Sequence, residues 1–367
     1  MNSDTESLST APTPKPDDSI HIVHEALKYR KEEVSLPYLM GVSGEAFRFF
    51  YNRQQVEKGI RTTFYNPLRT ASKALGFEHE LVYDDTFQVA WDRLQKNVQL
   101  GKIALIPLLD GCSFLIENDN PNTVVCQNGH RHEFSFDQLR KKWQRVDGFL
   151  EMGLNGYYQF ILGARPRYPK EREMALGAFR GASKLMRSRR KISGCTMGIS
   201  AYEELISHLQ RIMDQKQDTV KRYEIAKWNK ELLQQCLEGR RAAVSYLEIV
   251  RKDFEGEELK HLEEATVAYR NAVALLESLQ TTFPSLQFFS EETYSNSKGN
   301  YSEDSQLMRQ RFALKIPAFS KIWQTQSKHF KFSCQASIKL LKKLVKFETD
   351  GISALEDVIR VGEKLKM

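Results

Sequence analysis

The sequence is short of several things that would place it in a familiar class. Its 367 residues hold five cysteines, Cys112, Cys126, Cys195, Cys236 and Cys334. An odd number at uneven spacing argues against a disulfide framework and fits a reducing compartment. The longest apolar run, Ile103 to Leu109, is stopped by Asp110 and is far too short to span a bilayer. The first residues, MNSDTESLSTAPTPKPDD, hold no apolar stretch of the kind a secretory signal needs. There is no strict internal repeat. Gly41-Val-Ser-Gly44 lacks the lysine and the spacing of a phosphate-binding loop, so it reads as turn chemistry. Charge is also unremarkable: 54 basic against 47 acidic residues leave +7, read here as spread along the chain. A nucleic-acid binder concentrates its charge, so no nucleic-acid partner is expected. The expectation is a soluble, cytoplasmic protein with no cofactor and no membrane contact.

What is present is a globular composition, 41% hydrophobic and 11% aromatic, in a chain long enough for two domains. Residues 1–19 are rich in Ser, Thr, Pro and Asp, and read as a disordered tail. A first helix is expected over Ser19 to Tyr29, capped by Ser19. A second begins at Ser35-Leu36-Pro37, where proline's missing N–H costs nothing. Next comes Leu39 to Tyr51, LMGVSGEAFRFFY. Gly41 and Gly44 allow close approach or unusual backbone angles, and Ala46, Phe47, Phe49 and Phe50 are expected to bury against a sheet.

Helices follow at Pro67 to Leu75, closed by Gly76, and at Phe87 to Leu100, closed by Gly101. The strand signals are Ile103 to Leu109, Ser113 to Ile116, Thr123 to Cys126 and Tyr157 to Leu162, with a helix over Phe136 to Trp143. From Lys170 the pattern becomes long and helical: Glu171 to Arg190, Tyr202 to Met213, then a hairpin of Tyr223 to Val250 and Leu259 to Leu279, broken at Gly256. A polar connector at about 290–304 precedes two more helices, Ser320 to Phe347 and Ser353 to Lys364. The fold class is therefore α+β over 20–165, followed by an α-helical region over 166–367.

The segment Leu39-Met-Gly-Val-Ser-Gly-Glu-Ala-Phe-Arg resembles the N-terminal domain family of butirosin biosynthesis protein H and its bacterial relatives. The likeness continues through Trp91 with Gly101-Lys102, the strand ending at Pro107, Tyr158-Gln-Phe-Ile-Leu-Gly163 and Gly198-Ile-Ser-Ala-Tyr202. It covers about residues 20–210. The resemblance implies a papain-like thiol-enzyme fold, related to the double-glycine leader peptidases, and an acyltransferase that moves an acyl group from a carrier thioester to an amine. It also implies a cysteine at the start of the first helix, a histidine on a sheet strand and a polar partner for that histidine. The helix dipole and an imidazolium would lower the thiol pKa, and the third group would orient the ring.

The sequence departs from that pattern at its centre. The first helix, Ser19-Ile-His-Ile-Val-His-Glu, has no cysteine, and Cys112 stands where the strand histidine is expected. One reading is a catalytically degenerate domain that binds a small molecule, peptide or acylated carrier in the old cleft, bordered by Gly41, Ser43, Gly44 and Glu45. A second is an active acyl- or amide-transfer enzyme with exchanged roles. His21 or His24 would then face Cys112, with Asn118 or Asp119 orienting the ring. A third is an interaction protein that docks a partner through its C-terminal helices. Cys126, His130 and His132 make a Cys-x3-His-x-His cluster that matches no common structural zinc site, so no metal is expected and a polar hairpin is the simpler reading. Arg187 to Lys191 completes a helix C-terminus. Lys339, Lys342, Lys343 and Lys346 lie opposite Ile338, Leu341 and Val345 and read as the solvated face of a helical bundle rather than a membrane-surface helix.

Overall fold

The computed structural model describes residues 19–58, 67–108, 111–115, 124–127, 130–133, 135–143, 145–149, 154–191, 194–214, 219–284 and 317–364. Of the expected tail only Ser19 falls within them, and the polar connector lies outside. The chain is mixed helix and sheet, mostly helical. In order the elements are α1 (Ser19–Tyr29), α2 (Leu36–Ser43), a 3-10 turn (Glu45–Phe47), β1 (Phe50–Tyr51), α3 (Arg53–Lys58), α4 (Pro67–Leu75), β2 (His79–Asp84), α5 (Phe87–Gln99), β3 (Ile103–Leu108) and β4 (Gly111–Leu115). There follow β5 (Val124–Gln127), β6 (His130–Glu133), α6 (Phe136–Lys142), β7 (Arg145–Phe149), β8 (Leu154–Leu162), α7 (Glu171–Met186), β9 (Thr196–Met197) and α8 (Ile199–Asp214). The last are α9 (Thr219–Val250), α10 (Gly256–Thr282) and α11 (Pro317–Lys364).

Two compact units share this chain, and neither is contiguous. The first takes Met1–Ala46, Thr63–Gly181 and Ser245–Gly256; the second takes Phe47–Thr62, Ala182–Val244 and Glu257–Met367. The contiguous division at 165/166 expected from texture differs from this one, because α7 and α9 each begin in one unit and end in the other.

The first unit is built on an antiparallel sheet of order β2-β8-β3-β4-β5-β6, with β7 pairing the remaining part of β8. Its core gathers Phe87, Ala90, Trp91, Leu94 and Val98 from α5 against Ala104, Ile106 and Leu108 of β3 and Trp143. Phe87 meets Trp143 edge-on at 5.8 Å and Tyr157 at 5.5 Å, the offset geometry that aromatic quadrupoles favour. Thr86 caps α5 by accepting from the Val89 N–H, and Gly101 closes the helix at φ 70°. Three strands of this sheet, β2, β6 and β7, escape the sequence pattern, and among the described residues each has a strand neighbour on one side only. β2 leaves Leu81 39% exposed between Glu80 and Val82, and β6, His-Arg-His-Glu, has no apolar residue.

The second unit is helical, with the short pair β1–β9 in register Phe50 to Met197 and Tyr51 to Thr196. The aromatic run after Gly44 packs here and not against the large sheet. Phe47 meets Tyr269 of α10 edge-on at 5.4 Å, and Phe49 stacks on Tyr202 of α8 at 4.1 Å. The two C-terminal helices expected around Gly351 are one helix of 48 residues. Gly351 is not a break. A β-carbon there would lie 3.0 Å from the Tyr269 ring, so the glycine serves close packing rather than termination.

Candidate functional site

The sequence-derived candidates lie in the first unit, where α1 packs against α2, α4 and β4. Ile20, Val23, Ala26 and Leu27 of α1 are buried. Arg30 ties the end of the helix to the sheet by donating to the carbonyls of Gly163, Leu162 (3.1 Å) and Gly101 (3.3 Å). Arg165 adds a 2.7 Å contact to Glu32. These bonds tie the helix end to the end of β8 and to the turn before β3; Cys112 is on β4, opposite Pro107 in the β3–β4 ladder.

His21 is exposed and His24 is not; the His24 side chain is 13% exposed. Burial, then the Lys28 ammonium, holds its pKa below the ordinary value, against a hydrogen bond to the Val34 backbone and the charge of Glu25. His24 is thus poised as a neutral imidazole, the form that accepts a proton. Asn118 and Asp119 lie outside the described residues.

The glycine-serine turn is committed to structure. Ser35 caps α2 by accepting from the Tyr38 N–H, and Gly44 ends it at φ 80°, donating to the Gly41 carbonyl. Ser43 is fully buried; its hydroxyl donates to the Met40 carbonyl at 3.0 Å and accepts from the Glu45 N–H at 3.3 Å. A β-carbon on Gly41 would sit 2.0 Å from the Tyr246 ring. Gly41, Ser43 and Gly44 are therefore spent on packing and helix termination, and Glu45 is the one half-buried member of the four.

The Cys-x3-His-x-His positions fall on paired strands. Cys126 stands across from Arg131, while His130 and His132 stand across from Gln127 and Val125. Opposed positions share a face and neighbours alternate, so the cysteine position is on the other face from both histidine positions. Among the described residues no group of three or more His, Cys, Asp or Glu is placed to hold a metal.

The second unit holds a polar centre that the sequence reading did not anticipate. Arg240 of α9 and Glu348 of α11 are both fully buried, with Nε 2.5 Å from Oε1. The guanidinium also donates to the Arg48 carbonyl and to the Tyr202 hydroxyl, both at 3.2 Å, and lies over the Tyr269 ring at 5.9 Å. Tyr202 donates to Glu348 Oε1 at 2.9 Å, which leaves the Cys236 thiol to donate to the Tyr202 oxygen at 2.9 Å. Burial disfavours the Arg240 charge, but Glu348, Tyr202 and Cys236 outweigh it and its pKa rises. Burial pushes the Cys236 thiol up to about 11 and the Tyr202 phenol well above its usual range. A buried, protonated thiol is a poor nucleophile, and the side chains of this centre join α8, α9 and α11.

A signal for it existed. Arg240 falls in the gap between Cys236 and Ala243, in phase with the buried face of α9, and Glu348 falls between Leu344 and Ile352 in phase with that of α11. Two opposite charges, each on an apolar stripe, point to one buried pair. A second buried contact joins Tyr51, His208 and Asn229. Tyr51 donates to Asn229 Oδ1 at 3.1 Å, so His208 Nδ1–H is assigned as donor to the Tyr51 oxygen.

No helix among the described residues is long and apolar enough to cross a membrane. No family model matches the chain, and no curated protein matches it.

Proposed function

We propose that the first unit is a papain-like scaffold of the butirosin-H type that has lost its catalytic pair. It holds a small molecule, a peptide or an acylated carrier between α1 and the sheet without transferring an acyl group. The observation that carries this reading is the packing of α1 against β4. That packing is the arrangement the thiol-enzyme pattern requires, yet the helix has no cysteine and the strand carries Cys112 where a histidine is expected. Two segments of the resemblance add support. Leu39 to Tyr51 and Gly198 to Tyr202 are far apart in sequence, but Gly198 donates to the Phe49 carbonyl at 2.8 Å and β1 pairs with β9.

The same packing favours a second reading, an acyl- or amide-transfer enzyme in which His24 is the base and Cys112 the nucleophile. A role for the C-terminal helices as a hydrophobic dock has less support. Among the described residues of the C-terminal helices the large exposed apolar side chains are Val267 on α10 and Phe332 on α11, one to a helix.

Timed iodoacetamide labelling, read by peptide mass, separates the first two. The binding reading expects Cys112 to label no faster than an unactivated thiol at every pH. A Cys112 rate at neutral pH above that of a free-thiol reference such as N-acetylcysteine, slowed when His24 is replaced by alanine, overturns it in favour of the enzyme.

A further inference from the structure

The positive charge is not spread along the chain. Between Asp304 and Glu348 there is no aspartate or glutamate, while ten lysines and arginines occur there. That stretch more than accounts for the net +7 of the whole protein. Its described part lies on α11, where Lys328, Lys331, Lys339, Lys342, Lys343 and Lys346 are all exposed. At 100° per residue the six fall within an arc of about 120°, and at 1.5 Å per residue the row runs for roughly 27 Å. Cys334, Ile338, Leu341 and Leu344, on the opposite side, are buried. None of the six lysines has an ion-pair or hydrogen-bond partner among the described residues. Lys28, Lys191 and Lys252, by contrast, each pair with a glutamate. In the middle of the row Phe332 projects into solvent, 71% exposed.

We infer that this face of α11 is a docking surface for an anionic phospholipid bilayer. The apolar side of the helix is already used within the protein, so contact is made by the lysine row with Phe332 as its one apolar anchor. A straight row of lysines fits a planar array of headgroups, and clusters of four to eight lysines adsorb to such surfaces by charge. A phenylalanine among them has hydrocarbon to enter in a bilayer. Phosphate recognition in nucleic acids draws on the planar fork of arginine, and α11 holds no arginine between Lys328 and Lys346. No membrane-crossing helix is needed, in keeping with the described helices.

Co-sedimentation of the full chain with vesicles tests this. Phosphatidylcholine vesicles with 30 mol% phosphatidylserine are compared with pure phosphatidylcholine at low and at physiological salt. A 20-base-pair DNA duplex and a single-stranded RNA are titrated in parallel. Binding is expected to the anionic vesicles only, to weaken with salt, and to fall roughly fivefold for each lysine removed, from the ~1 kcal/mol each contributes. Lys339→Gln with Lys342→Gln should therefore cost about 25-fold on that basis, and Phe332→Ser should weaken binding with the salt dependence unchanged. Circular dichroism of the variants confirms folding, since all three side chains are exposed. Absence of vesicle binding at low salt, equal binding by the lysine variant, or tighter binding to either nucleic acid overturns the proposal.

Discussion

Arg240 Nε and Glu348 Oε1, 108 residues apart, lie 2.5 Å from each other in side chains with no solvent exposure. Tyr202 and the Arg48 carbonyl answer further atoms of the pair from within the second unit, while Glu348 Oε2 is buried with no hydrogen-bond partner among the described residues. Breaking such a pair leaves one buried charge without its counterion, whereas replacing both partners with apolar groups removes the desolvation cost altogether. Glu348→Leu and Arg240→Met alone are each expected to destabilise by about 3–5 kcal/mol. The double variant should recover most of that loss. Urea denaturation of the three variants checks this; additive losses would show that the two side chains act independently.

Gly41→Ala tests whether the glycine turn is packing or cleft. The new β-carbon would meet the Tyr246 ring at 2.0 Å, so a loss of about 1–3 kcal/mol is expected from overpacking. Tyr246→Leu should relieve part of it in the double variant. Unchanged stability in a thermal melt of Gly41→Ala would return this position to the list of cleft residues.

Alkaline pH should loosen the protein through its thiols. The Cys236 pKa is raised from 9.0 to about 11 and that of Cys334 to about 12, in both cases first by burial. Below pH 9.0 both states keep their thiol protons and the stabilisation is complete. Above it the unfolded chain releases protons that the folded chain retains, so stability falls as pH rises toward the folded-state values. The slope is at most about 1.4 kcal/mol per pH unit for each thiol. Denaturation midpoints between pH 8 and 11 should decline, and Cys236→Ala should flatten part of the decline. Native-state labelling with a thiol reagent should leave Cys195, Cys236 and Cys334, all buried, unmodified.

His24 supplies the opposite sign on the acid side. Its folded-state pKa lies below 6.5 because burial, then Lys28, opposes the imidazolium. Its contribution is present above pH 6.5 and is lost as pH falls through the folded value, where the unfolded chain binds the proton more readily. An NMR titration of the ring should show a midpoint below 6.5; a midpoint above it would show that Glu25, 3.8 Å away, outweighs burial and Lys28.

Local chemistry made much of the first unit legible. Ser35 with Pro37, Gly76, Gly101 and the apolar run of β3 each act through backbone rules that need no tertiary context, and α1, α4 and β3 accordingly fall where the sequence puts them. The rest depended on partners distant in sequence. β2 and β6 are edge strands whose polar faces carry no alternation, and Gly351 sits at a close approach to Tyr269 that no local window reveals.

The candidate site was legible in its parts. The absence of cysteine in α1 and the place of Cys112 are sequence facts, whereas the packing of α1 on β4 is not. The interleaving of the units was hidden because Leu39 to Tyr51, one motif in sequence, crosses from the first unit to the second at Ala46–Phe47. The Arg240–Glu348 pair was missed for a related reason: charges were read as surface residues, although both stand in phase with buried faces.

Equilibrium dialysis against an acyl-labelled pantetheine thioester, with the retained ligand recovered and its thioester bond assayed, tests the central claim most directly. Saturable retention of intact thioester, equal for the native chain and for Cys112→Ala, is the expected result. Recovery of deacylated pantetheine, or acyl label bound covalently to Cys112, would show an active transferase, and no retention at all would contradict the binding of an acylated carrier.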